Sequence, residues 1–385
     1  MFQSSRRQFL ATLAASGAAA LSHQALFAGT DIGSVLPTEG QQTGNPLPRN
    51  QNNTQGHFRP EKRFGVGGVA IGNAFAPTSD EDAQAALAAS WEGGARYFDT
   101  SPWYGLGLSE RRFGWFLHNQ KPDDYIISTK IGRLLHAADS PPPDLLWKQP
   151  SSFEYEYDYS AEGTRRSIED SLQRMGISEI DIVFIHDLSP DNEDMKDNWK
   201  EYFEVARKGA MPELTKMREE GIIKGWGFGV NRPEPALKAT EVADPDIHLL
   251  ACQYSLIEHE EALNHTFPAL AERNISVVVG APLNSGFLAG RDRYNYSNNI
   301  PDGFNEKRQR ISRIADEHGV DLRTAALQFC EAHDVVSAVI PGARNASQAE
   351  ANIKSMTVSI PDGFWEQLKQ DGLIAKNAPT PKAAS

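Results

Sequence analysis

The stretch that decides the fold runs from Gly94 to Gly114, GARYFDTSPWYGLGLSERRFG. Its first part, Arg96–Phe98, is a short apolar run of strand character, and it stops on a carboxylate, Asp99. A turn rich in Ser, Pro and Gly follows, with Tyr104 five residues beyond Asp99. An apolar strand that delivers a polar group at its end, and then a loop, is the unit from which α/β folds are assembled.

That unit recurs on both sides. Before it stands Val66–Ala70. After it come Tyr125–Thr129, Asp181–Ile185, Gly225–Val230, Leu249–Gln253, Ser276–Val279 and Ala338–Ile340, which makes eight strands. Between them lie amphipathic helical patterns. Asp80–Glu92 begins after Ser79, Ala161–Met175 stops at Gly176, Met211–Glu220 stops at Gly221, and Arg323–His333 precedes the last strand. Eight strands alternating with helices predict a closed (β/α)8 TIM barrel, a single domain with long βα loops. A doubly wound open sheet is the alternative, but the GVGGVAIGN stretch lacks the GxGxxG spacing that would favour it.

A barrel of this kind carries its chemistry where strands end and βα loops begin. Those positions hold Asp99, Lys130, His186, Asn231, Gln253 with Tyr254, and the runs APLNSG and IPGAR. Asp99, Lys130 and His186 end successive strands, and Tyr104 lies in the adjoining loop, so all four converge on one end. A tyrosine acts as acid or base near neutrality only if a cation favours its phenolate. Lys130 is the expected cation, Asp99 the partner that keeps Lys130 charged, and His186 the donor that orients a substrate oxygen. This is a proton-transfer device that needs an electron acceptor, and a nicotinamide would provide one. Taken singly, Asp99 reads equally well as a turn cap, Tyr104 as packing, Lys130 as a snorkelling side chain and His186 as a core histidine. Their co-occurrence at neighbouring strand ends selects the functional reading.

FDTSPWYGLGLSERRFG, STKIG, IHDL, GVN, CQY, APLNSGFLAG and IPGARNASQAEANI, in that order, resemble the signature blocks of the aldo-keto reductase superfamily over residues 64–356. YGLGLSERR, the EYDYSAEGTRRSIEDSLQRMG stretch, His186–Asp187 and GVNRPE are most similar to its D-threo-aldose 1-dehydrogenase branch, with pyridoxal 4-dehydrogenase in the same neighbourhood. The resemblance implies Asp99, Tyr104, Lys130 and His186 as a catalytic tetrad and NAD or NADP as cofactor. The substrate it implies is a small sugar or aldehyde, with aldose C1 oxidised to an aldonolactone. It also implies a cofactor site. Gly67 and Gly68 allow close approach at the first strand end, Asn231 and Gln253 bond the carboxamide, and Tyr254 stacks on the nicotinamide. Leu283, Asn284 and Gly286 line the pyrophosphate, and Gly342, Arg344, Gln348 and Asn352 meet the adenosine half. Some relatives of the fold serve as channel subunits, so a non-catalytic nucleotide-binding role is the competing function. The loop after Lys130 (Trp147, Phe153, Tyr155, Tyr157, Tyr159) and the loop after His186 are expected to choose the substrate or to pack the loops on the barrel. The run Arg291–Phe304 is expected to fold over the cofactor.

Outside the barrel, SRRQFL at residues 5–10 precedes a short alanine-rich apolar segment, the pattern of a twin-arginine signal peptide over 1–28. The segment is too short for a stable membrane span, for which about 20 apolar residues are needed. Transient engagement of the Tat export machinery and a periplasmic location follow as expectations. Residues 29–61 read as a flexible linker, 62–360 as the barrel and 361–385 as a C-terminal tail. The net charge of −13 argues against a nucleic-acid partner. Cys252 and Cys330 sit in apolar runs and read as core thiols, and His259 and His265 lack the spacing of a metal site.

Overall fold

The computed structural model describes residues 46–50 and 57–381, all within one unit that spans 44–385. The expected signal peptide lies outside the described residues. The strands are β1 (Gly65–Gly67), β2 (Tyr97–Asp99), β3 (Ile126–Ile131), β4 (Arg133–Ala137), β5 (Phe153–Tyr157), β6 (Ile182–His186), β7 (Gly225–Val230), β8 (Ile247–Ala251), β9 (Ser276–Gly280) and β10 (Val336–Ile340). Eight of them form a parallel sheet in the order β1-β2-β3-β6-β7-β8-β9-β10. The first and last meet: Val339 N–H donates to the Arg63 carbonyl at 2.8 Å and Gly67 N–H to the Pro341 carbonyl at 3.1 Å. The sheet therefore closes on itself as a (β/α)8 barrel.

The strands are buried on both faces, as parallel strands under a helical layer must be. Inside the barrel, Tyr97, Ile182, Phe184, Ile247, Leu249, Val278, Ala338 and Ile340 fill the interior. Outside it, a larger apolar layer joins strands to helices. Helix starts follow their caps: Ser79 accepts from Asp82 N–H, and Ser160 from Gly163 N–H. Helix Ala161–Met175 ends at Gly176, whose φ of 64° is the left-handed conformation of a C-terminal glycine.

Three expectations are corrected. The loop after Lys130 carries an antiparallel hairpin, with β4 and β5 paired from Arg133–Tyr157 to Ala137–Phe153. The alternating FEYEY pattern is the strand signal that marks it. The described part of the 29–61 linker is attached rather than free. Arg49 bridges to Lys62, the Asn50 amide donates to the Pro60 and Ser337 carbonyls, and Phe58 packs against the barrel interior. The 361–385 tail contains helix Asp362–Gln370, which buries Phe364, Trp365 and Leu368. Apolar residues three and four apart drive it onto the barrel.

Candidate active site

The ends of β2, β3 and β6 place Asp99, Lys130 and His186 side by side, because these strands are neighbours in register. The Lys130 ammonium donates to both Asp99 oxygens at 2.9 and 2.8 Å and to the Thr100 carbonyl at 2.7 Å. Asp99 also accepts from the Ser128 hydroxyl at 2.7 Å. Burial pushes the Asp99 carboxyl up and the Lys130 ammonium down, and the two-pronged contact opposes both shifts.

Tyr104 reaches this pair from the β2 loop. Its ring lies 4.8 Å from the Lys130 nitrogen and edge-on to His186 at 5.7 Å. Its hydroxyl makes no hydrogen bond among the described residues. Burial, then the Asp99 carboxylate, hold the phenol well above its ordinary value, and Arg133 is the cation that opposes them. The Lys130 ammonium faces the Tyr104 ring while its hydrogen bonds go to Asp99 and Thr100. The protein on its own holds Tyr104 as the protonated acid.

His186 is held neutral. Burial, then Lys130 and Arg133, depress it well below 6.5. Its Nδ1 faces the Ser101 hydroxyl at 3.2 Å and Arg133 Nη1 at 3.5 Å. A guanidinium only donates and the Ser101 hydroxyl can donate, which favours the tautomer with Nδ1 as acceptor and the hydrogen on Nε2. Tyr159 fixes the strand end by donating its hydroxyl to the His186 carbonyl at 2.9 Å.

A cavity of about 630 Å³ opens at Asp99 and Tyr104 and runs across the barrel mouth. Gly67, Leu283, Gly286, Gly342, Arg344, Gln348 and Asn352 line it, as does Tyr296. Apolar groups dominate near Tyr104, with Leu249, Ala251 and Ile340. Arg291, Arg293, Arg323 and Arg344 also line it, and burial, then the neighbouring guanidinium groups, lowers the pKa of Arg293 and Arg344. Beside them, helix Ala346–Thr357 begins at its Asn345 cap. Guanidinium groups and a helix start suit an anionic phosphate group, and the apolar end suits a flat ring. The residues present therefore fit a nicotinamide dinucleotide. Of the run Arg291–Phe304, Arg291, Arg293 and Tyr296 line the cavity: Arg293 donates to the Ser285 carbonyl and stacks 4.0 Å above Phe75, and Tyr296 N–H donates to the Ser285 hydroxyl.

Other expected cofactor residues face elsewhere. Tyr254 follows the turn at Cys252, φ 63°, and sits in the helical layer, stacked 5.2 Å from Phe329. It does not line the cavity; Phe75, Tyr104 and Tyr296 are the aromatics that do, with Tyr296 stacked on Phe75 at 6.5 Å. Gly68 packs under the β2 end, where a Cβ would lie 2.6 Å from the Ser109 hydroxyl. Asn284 is buried and donates to Asn295 of the 291–304 run. Asn231 donates to Asp191, and Gln253 donates to the Asn231 carbonyl, so neither reaches the cavity. Arg344 lines the wall but spends its guanidinium on the Ala74 and Ala76 carbonyls at 2.6 and 2.8 Å. His259 is occupied by backbone on both ring nitrogens, through the Ser255 carbonyl and Ala375 N–H.

Sequence reasoning missed Arg133. It is 5 % exposed, pairs with Asp187 at 2.8 Å, and lies against the rings of Trp103, Tyr157 and Tyr155 at 4.5, 4.9 and 5.7 Å. Burial is the largest influence and opposes its charge, but Asp187, Tyr157 and Tyr159 together outweigh it and the pKa rises. The available signal was the STKIGR run, which puts an arginine immediately after the glycine that ends β3.

The chain matches the aldo/keto reductase family over residues 63–371. It is 36 % identical over 330 residues to pyridoxal 4-dehydrogenase of Microbacterium luteolum, covering 81 % of this chain and 94 % of that one. It is 35 % identical over 328 residues to D-threo-aldose 1-dehydrogenase of a Pseudomonas species, covering 83 % and 95 %. The fold is similar to the holo form of an aldo-keto reductase from Bacillus halodurans, with TM-score 0.61, 22 % identity, and coverage of 83 % and 94 %. The barrel, the Asp99–Tyr104–Lys130–His186 cluster beside a nucleotide-sized cavity, and the match across the whole barrel together place this chain in the aldo/keto reductase family.

Proposed function

We propose that the protein is an NAD(P)-dependent oxidoreductase acting on a small aldose or aldehyde, with aldose C1 oxidised to the lactone as its favoured reaction. The observation that carries this is Tyr104, which lines the cavity with Asp99, sits edge-on to His186, and has a hydroxyl with no hydrogen-bond partner among the described residues. Similarity to an aldose 1-dehydrogenase and a pyridoxal dehydrogenase supports the substrate class.

A nicotinamide bound in the cavity takes or supplies the hydride. Asp99, Tyr104, Lys130 and His186 do the rest. Nε2–H of His186 donates to the substrate oxygen and fixes its place. In oxidation the C1 hydroxyl gives its proton to the Tyr104 oxygen as the C1 hydride leaves, and in reduction the Tyr104 hydroxyl gives the proton back. Asp99 orients Lys130, and the ammonium under the Tyr104 ring stabilises negative charge on that oxygen. Gly67, Leu283, Gly286, Gly342, Gln348 and Asn352 shape the nucleotide wall, and the strap of residues 291–296 covers it.

The test is turnover of D-arabinose, L-fucose, L-galactose, pyridoxal and simple aldehydes with NAD(P)+ or NAD(P)H. Nicotinamide absorbance should change with at least one sugar; silence with all of them and both cofactors would sink the proposal. Export in the folded state to the periplasm is part of the same proposal, and it rests on SRRQFL alone.

A further inference from the structure

Asp187 stands beside the reacting centre with one oxygen held and the other unengaged. Its Oδ2 is held by Arg133 Nη1 at 2.8 Å. Its Oδ1 lies 3.5 Å from His186 Nε2 and accepts no hydrogen bond among the described residues. That separation is too long for a strong contact, so the Nε2–H and Oδ1 both stay available. Arg133 is itself immobilised between the rings of Trp103, Tyr155 and Tyr157, which fixes the carboxylate's orientation. Asp187 also adopts φ 45°, a left-handed conformation uncommon for a side chain other than Asn or Asp. Such conformations persist where the surroundings over-determine them, and they cluster at functional sites. The side chain is 21 % exposed, and Trp103, Tyr155 and Tyr157 beside it are half-buried, so this side of His186 opens to solvent.

We propose that Asp187, held by Arg133, reads a hydroxyl on the carbon next to the reacting carbon of the substrate. The inference rests on the dehydrogenase reading above, in which His186 Nε2 donates to the reacting oxygen. An oxygen seated there brings the adjacent carbon's hydroxyl alongside Asp187 Oδ1, which can only accept. A substrate with a donor at that position gains a hydrogen bond to a carboxylate, whereas one with a methylene leaves that oxygen unpaired. Asp187 thus selects α-hydroxy aldehydes and aldoses over plain aldehydes. Arg133 is a positioning residue, acting through Asp187 on one side and through His186 Nδ1 on the other. Lys130 and Asp99, behind His186 and Tyr104, are engaged with each other and do not face the hydroxyl.

The test compares 2-hydroxypropanal with propanal, which differ only in the hydroxyl on the carbon next to the carbonyl, as substrates for NAD(P)H-dependent reduction. The wild type should favour 2-hydroxypropanal in kcat/KM by about tenfold or more, the size expected for a hydrogen bond to a charged group. Asp187→Asn keeps the shape and tolerates the backbone, but its amide oxygen must face Arg133, so an N–H faces the substrate. Asp187→Gly removes the carboxylate and accepts φ 45° without strain. Asp187→Gly should bring the ratio close to one and Asp187→Asn should lower it, because a neutral N–H to the hydroxyl oxygen replaces the charged contact; taking a ratio cancels any general loss of fold or of catalysis. A wild-type ratio near one, or a wild-type ratio retained in either variant, would overturn the inference while leaving the dehydrogenase reading intact. A wild type that reduces neither aldehyde and oxidises no sugar would sink both.

Discussion

At the residue scale, the protein separates two proton jobs by environment. Burial and Asp99 keep the Tyr104 phenol protonated well above 10, while burial, Lys130 and Arg133 keep the His186 imidazole neutral well below 6.5. The signs fix a pH profile. A phenol with a raised pKa stays an acid as pH climbs through neutrality, and a depressed imidazole stays a neutral donor as pH falls through 6.5. The kcat for aldehyde reduction should therefore be flat between about pH 6 and 9, with no limb at the ordinary histidine value. Oxidation runs the other way: Tyr104 must first be a phenolate, so its rate should climb with pH across that range. Steady-state profiles in both directions check this, and an acidic limb of reduction centred near 6.5 would show that His186 is not held neutral. The tetrad was legible because each member sits at, or next to, a strand end. Arg133 was harder to read, because it lies past the end of β3, where its one signal is the arginine that follows Gly132 in STKIGR.

At the element scale, the chain turns back at the junction of β3 and β4. Gly132 has φ 114°, and a Cβ there would lie 2.3 Å from the Tyr159 ring, whose hydroxyl pins the His186 carbonyl. Gly132→Ala should therefore push Tyr159 away and loosen Arg133 and His186 together. The expected result is a loss of stability of about 1 kcal/mol or more, with a larger proportional loss of kcat, read by denaturant unfolding and steady-state kinetics. Unchanged kinetics would mean that the junction does not position the site. Hairpin β4–β5 supplies the aromatic wall around Arg133. Its FEYEY alternation was present in the sequence, but β4 reads RLLHA, with no such alternation, so the partner strand was hidden. Tyr254 was misplaced for a related reason. Its strand end was recognised, but the left-handed turn at Cys252 that sends it outward has no signature in a non-glycine residue.

At the scale of the whole molecule, the eight-strand periodicity was legible because every strand is an apolar run followed by a polar end, and closure follows from the count. The attached 57–62 segment and helix Asp362–Gln370 were less so, because turn-rich and short amphipathic segments read as peripheral until the barrel surface they cover is present. In the proposed twin-arginine reading, SRRQFL directs export of the folded barrel. Replacing Arg6 and Arg7 by Lys should leave the protein in the cytoplasmic fraction with its activity intact, as followed by cell fractionation. Unaltered export would remove the twin-arginine reading and leave the barrel chemistry untouched. In the proposed mechanism that chemistry turns on the Tyr104 oxygen. The most direct measurement is sugar-dependent nicotinamide reduction by the wild type and by Tyr104→Phe, alongside nucleotide binding followed by fluorescence. The tyrosine mechanism requires turnover to fall by a factor of about a hundred or more with nucleotide affinity retained. Turnover in Tyr104→Phe equal to the wild type, with the nucleotide bound, would show that the proton moves elsewhere.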